Sequence, residues 1–162
     1  MKQSWNSFIA TWFGSGNAPI APGTMGSLAA LPVGYVIHSV FGGAVLAVMA
    51  LVIFILGVWV SEIYMTLNNK LDDPKEIVID EVAGQWLLLS VMPLNLYGYV
   101  LGFILFRIFD ILKPWPISWV DNNIKGGLGV MFDDILAAFM GLMLFLIIGA
   151  LLPADYVTPL YE

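Results

Sequence analysis

The chain has 162 residues, 60% of them hydrophobic and 11% charged, and a mean hydropathy of +0.90. Water-soluble domains carry about 25% charged residues, so this composition describes an integral membrane protein, read as one compact helical unit over residues 1–162. A net charge of −6 with six scattered Lys and Arg excludes a nucleic-acid binder, which needs a basic stripe, and the absence of cysteine excludes disulfides, thiolate metal sites and cysteine-nucleophile phosphatase chemistry.

The first stretch, "SWNSFIATWFGSG", is broken by polar residues and lacks the continuous apolar run of a cleaved signal peptide, so it is expected to stay on the chain. Trp5, Phe8, Ile9, Trp12 and Phe13 recur at i, i+3, i+4, i+7, i+8. They predict a short interfacial helix within residues 1–13, with a segment facing the bundle core as the alternative. Gly14, Gly16 and Gly23 with Pro19, Pro22 and Pro32 then predict a Gly/Pro loop over 14–27, with no regular helix until roughly Ser27. Leu28 to Ile37 is apolar but short, so a full or a partial crossing both fit, and His38 to Gly43 reads as a turn. Ala44 to Val60, continuing into Glu62 and Tyr64, is a full span at the ~20 residues a bilayer requires. Val82 to Met92, Tyr97 to Leu112, and Gly129 onward through Ile135 to Leu152 complete an all-α polytopic membrane bundle of about five hydrophobic helical segments.

Charge is confined to a few places. No Asp, Glu, Lys or Arg lies between Lys2 and Glu62, between Glu81 and Arg107, or between Asp134 and Asp155. If the first two membrane segments form a hairpin, all six basic residues fall on one side, and Asp155 and Glu162 on the other. The positive-inside rule makes the first side cytoplasmic. The Gly/Pro loop, the acidic motif within 71–84 and the second motif within 106–137 then converge on that face.

Asp80 and Glu81 stand at the start of one apolar helix, Asp133 and Asp134 at the start of another. Helix capping and the helix dipole account for either pair alone. Four carboxylates converging at one membrane face repel unless a cation lies between them, and a hard divalent ion with oxygen ligands, Mg²⁺ first, answers that. Arg107, Asp110 and Lys113 share roughly one helix face, either as salt bridges or with Asp110 joining the cluster while Arg107 and Lys113 hold an anion. Lys125 with "GGLG", and the donor-rich run Gly23, Thr24, Gly26, Ser27 before a helix, suit a phosphorylated ligand. His38, the single histidine, falls on the far side, and no D-x-D or G-x-S-x-G signature is present. Metal-assisted phosphomonoester hydrolysis is the reaction class left.

"APIAPGTMGSLAALP", "IVIDEVAG" and "FRIFDILKPWPISWVDNNIKGGLGVMFDDILA" together resemble the phosphatidylglycerophosphatase A family, in the family's order and over about half of the chain. The resemblance implies hydrolysis of phosphatidylglycerol phosphate to phosphatidylglycerol with Mg²⁺, at the cytoplasmic face of a bacterial inner membrane. It implies an acidic core of Asp80, Glu81, Asp110, Asp133 and Asp134, and phosphate contacts from Arg107, Lys113 and Lys125, with Asp73 as a further candidate. The Gly/Pro loop departs from the family in carrying no basic residue, so it is expected to offer backbone donors only. A cation transporter, a non-catalytic scaffold and a lipid phosphatase of other specificity are the competing readings.

Overall fold

The computed structural model describes residues 5–70 and 74–151, and among these the chain is helical with no strand. The elements are α1 (Trp5–Ala10), α2 (Pro22–Phe41), α3 (Gly43–Leu67), α4 (Ile79–Leu89), α5 (Leu96–Leu112), α6 (Ile117–Asn123) and α7 (Gly126–Leu151), with a single 3₁₀ turn at Ser15–Asn17. Five of these correspond to the expected hydrophobic segments; α6 was not foreseen. α2, α3 and α7 are long and apolar enough to cross a membrane. The 11 residues of α4 reach only ~16 Å, about half of a ~30 Å hydrocarbon core, so α4 enters the bundle from one end and the chain returns along α5.

α4 is the centre of the fold. Nearly all its residues are buried and it packs against α2, α3, α5 and α7, as expected of a helix with no polar face outside its first turn. Its contact with α2 depends on small residues. A Cβ at Gly26 would press into Val78, and one at Gly34 into the Trp86 ring, whose Nε1 donates to Ala30 O at 2.9 Å.

Several boundaries differ from the sequence reading. α1 ends at Ala10 and the chain turns, with Trp12 and Phe13 in the left-handed region, so the aromatic stripe divides. Trp12 packs edge-on against Trp86 with ring centroids 5.5 Å apart, while Trp5 and Phe13 face outward. Residues 1–4 of the predicted interfacial segment lie outside the described residues. α2 begins at Pro22 rather than near Ser27, because proline suits the first position of a helix. It continues through Pro32 to Phe41, and the break comes at Gly42, with φ +84. At that far turn His38 Nδ1 lies 3.1 Å from the Tyr99 hydroxyl, consistent with a structural histidine. α7 begins at Gly126, which corrects the placing of Asp133 and Asp134: they lie inside the helix, and its first turn contains no acidic residue. The glycines expected to form a loop belong to that turn instead. Gly127 fits against Val58 O, and its N–H donates to Glu62 Oε2 at 2.7 Å, which joins the end of α3 to the start of α7.

Candidate active site

The starts of α2 and α4, the end of α5 and the Asp133–Asp134 stretch two turns into α7 meet in a cavity of about 390 Å³. It is lined by Ala21 to Thr24, by Lys75 and Ile77 of the α3–α4 loop, by Asp80 and Glu81, by Arg107, Asp110, Ile111 and Lys113, and by Asp133 and Asp134. Five carboxylates and three cations face one space, an excess of two negative charges.

The carboxylates are fixed by their own helices. Asp80 Oδ1 accepts from the Glu81 N–H at 3.0 Å, and Asp133 Oδ1 from the Asp134 N–H at 3.0 Å. Asp80, Glu81, Asp133 and Asp134 are all buried. One oxygen from each of Asp80, Glu81 and Asp134 lies within 4.8 Å of the others. Glu81 Oε2 and Asp134 Oδ2 are buried with no hydrogen-bond partner. Buried acceptors without donors are costly, and three converging carboxylates repel, so a divalent cation among them fits the donor set and would satisfy both oxygens.

The cations are held to the rim of this trio. Arg107 pairs with Asp110, lies 3.8 Å from Glu81 Oε1 and donates from Nη1 to Ser27 Oγ at 3.2 Å, while its buried Nε has no partner. Lys113 closes α5 in the left-handed region and bridges Asp121 Oδ1 and Asp133 Oδ2, each at 2.6 Å. Burial works against its charge, but the carboxylates of Asp133 and Asp121 outweigh this and hold the ammonium above the ordinary lysine range. α2 starts with no side-chain cap, leaving the N–H groups of its first turn for a ligand.

Asp80, Glu81, Asp110, Asp133, Asp134, Arg107, Lys113 and Thr24 thus share one cavity. Ser27 does not line it; it is buried, donates to Gly23 O at 3.0 Å and supports Arg107. Lys125 lines a neighbouring cavity of about 330 Å³ with Asp121 and Gly126, where it donates to Asp121 O at 3.2 Å. Asp73 lies outside the described residues. Sequence reasoning passed over two residues, Asp121 as the second partner of Lys113 and Lys75 as a lining cation. The signal available for Lys75 was its place in the same charged patch as Asp80 and Glu81.

The model of the phosphatidylglycerophosphatase A family matches residues 8–149, nearly the whole described chain. The chain belongs to the phosphatidylglycerophosphatase A family. It is 38% identical over 151 residues to phosphatidylglycerophosphatase A of Escherichia coli, covering 92% of this chain and 86% of the relative. The enzyme of the same name in Haemophilus influenzae is 38% identical over 131 residues, covering 80% of each. A Bacteroides thetaiotaomicron protein with the provisional name phosphatidylinositol-3-phosphatase is 39% identical over 148 residues, covering 84% of this chain and 88% of its own. No solved structure matches significantly.

Space at the phosphatase-family cavity is limited where α2 meets α4. A Cβ at Gly23 would overlap Glu81 Oε1 and sit 3.4 Å from Arg107 Nη1. Gly23→Ala is expected to push the Glu81 carboxylate out of the trio and lower phosphate release by about 10²-fold, the scale of a displaced active-site group. Assays beside far-UV circular dichroism would test this; full activity in the folded variant would show that Glu81 has no fixed role.

Proposed function

We propose that this chain removes the terminal phosphate of phosphatidylglycerol phosphate, releasing phosphatidylglycerol and inorganic phosphate, with Mg²⁺ as cofactor. Family membership supports a phosphoric monoester hydrolase acting on a phospholipid in the membrane. The observation that carries the reading is the carboxylate trio, with its two unpartnered oxygens, beside the uncapped start of α2.

Asp80, Glu81 and Asp134 would hold the cation, with Asp133 kept beside them by Lys113. Mg²⁺ is assigned because every ligand is a hard oxygen, and when bound it supplies charge neutralisation at the phosphoryl group. Asp110, or one carboxylate of the trio, orients the attacking water and takes its proton. The water oxygen forms the new bond to phosphorus as the bond from phosphorus to the glycerol oxygen breaks, and the carboxyl that took the water's proton hands it to that leaving oxygen. Arg107, the first-turn N–H groups of α2 and Thr24 stabilise the charge developing on the phosphoryl oxygens. One domain over residues 1–162 carries all of these groups.

An apolar groove on the outer face of α5, lined by Phe103, Ile104, Ile108 and Leu112, shares Arg107 and Ile111 with the cavity. The acyl chains can therefore stay among lipids while the headgroup enters. Lys70, Lys75, Arg107, Lys113 and Lys125 gather at the cavity end of the bundle, which supports a cytoplasmic active site in a bacterial inner membrane. Carboxylates gathered at that end, with none lining the far turn among the described residues, favour hydrolysis over cation transport.

Purified protein in neutral detergent is expected to release phosphate from phosphatidylglycerol phosphate with Mg²⁺, to stop with EDTA and to resume on adding Mg²⁺ back. Release that survives EDTA would remove the metal from this reading. Because one relative is named for phosphatidylinositol 3-phosphate, that lipid belongs in the same assay; faster turnover of it would replace the substrate.

A further inference from the structure

The three cations of the cavity are not equivalent. Arg107 is engaged by Asp110 and Ser27, and Lys113 by Asp121 and Asp133. Lys75 also lines the cavity, yet it makes no ion pair or hydrogen bond among the described residues. Its neighbour Glu76 is hydrogen-bonded by Lys70, with Nζ to oxygen distances of 2.7 and 2.8 Å, and draws only a weaker, through-space attraction from Lys75. Among the charged lining residues Lys75 alone is exposed, whereas the carboxylate trio lies at the buried end.

The backbone from Pro74 to Val78 is tied down. Pro74 is buried, the Ile77 N–H donates to Pro74 O at 2.8 Å, and the Val78 N–H donates to Ala10 O at 3.0 Å. An ammonium with no ion pair or hydrogen bond among the described residues, presented at the outer part of a cavity where carboxylates outnumber cations, is preorganised for an anion that arrives with the ligand. The proposed substrate has two anionic groups: the terminal monoester, which must reach the trio, and a phosphodiester one glycerol unit closer to the acyl chains, which must remain nearer the opening.

We infer that Lys75 forms a second anion subsite, which binds the phosphodiester of the phospholipid headgroup and so selects lipids with a phosphate beyond the one hydrolysed. This rests on the phosphatase reading above. The subsite acts on binding and leaves the bond-breaking step alone, because the phosphodiester is unchanged between substrate and product.

The experiment compares wild type, Lys75→Gln and Lys75→Arg in mixed micelles of neutral detergent. Turnover of phosphatidylglycerol phosphate is measured with two inhibitors, inorganic phosphate as a probe of the trio and phosphatidylglycerol as a probe of the phosphodiester subsite. Lys75→Gln is expected to raise KM and the inhibition constant of phosphatidylglycerol together by roughly tenfold, the scale of one charge-assisted hydrogen bond. kcat and inhibition by inorganic phosphate should stay within about twofold, and Lys75→Arg should restore most of the binding. Equal weakening of both inhibitors would make Lys75 a general source of positive field, and no change in either would make it a solvated surface lysine; each overturns the subsite. A wild type that releases no phosphate would instead defeat the phosphatase reading, and it is recorded in the same assay.

Discussion

Asp134→Asn is expected to lower phosphate release by about 10³-fold while making the metal-free protein more resistant to heat. The two effects have one origin. Asp134 is buried within α7, its Oδ2 has no hydrogen-bond partner, and one of its oxygens lies within 4.8 Å of oxygens of both Asp80 and Glu81. Without a cation these groups repel, and the neutral amide relieves that repulsion by on the order of 1 kcal/mol. With a cation the same amide removes a charged ligand, and losing about 4 kcal/mol of transition-state stabilisation corresponds to the stated rate loss. Thermal denaturation followed by circular dichroism, with EDTA and with Mg²⁺, separates this from a purely structural role. Wild type should gain stability on adding Mg²⁺ and the variant should not. If Asp134→Asn instead melts earlier in EDTA and responds to Mg²⁺ like wild type, the carboxylate is a packing element and the metal lies elsewhere.

Convergence of the charged motifs was legible because a membrane chain confines charge. Long stretches without Asp, Glu, Lys or Arg forced the remaining carboxylates to a few helix ends, and counting crossings brought those ends to one face. What was not legible depended on packing between helices. Gly126 to Gly129 reads as a loop by local propensity, but close approach to Val58 and Ile124 uses those glycines inside α7, which moves Asp133 and Asp134 from a capping position to the interior of a helix. The early start of α2 was legible in Pro22, which suits a first helical position, but not in Gly23 and Gly26, which are room for Glu81 and Val78 rather than flexible links. Pairing was also hidden. Arg107, Asp110 and Lys113 share a helix face in sequence, yet Lys113 turns away to Asp121 and Asp133, and only the fold brings Asp121 close enough to be bridged.

That bridge supports the second large effect. Lys113→Met is expected to destabilise the protein by about 3 kcal/mol, the low end of the cost of removing one partner from a buried ion pair, because the Lys113 side chain is 27% exposed. The cost falls mainly on Asp133, which is 3% exposed, whereas the Asp121 side chain is 37% exposed and can be rehydrated. Lys113→Met combined with Asp133→Asn should therefore recover most of the lost stability, because the buried carboxylate that lost its counter-charge is then neutral. Activity should not return with it, since the pair holds the first turns of α7 against the end of α5 and places a cation at the edge of the carboxylate trio. Denaturant-induced unfolding in detergent reads the stability term, and phosphate release from phosphatidylglycerol phosphate reads the second. A Lys113→Met protein as stable as wild type would show that solvent already shares the Asp133 charge, and a double variant that regains activity would show that Lys113 contributes structure alone.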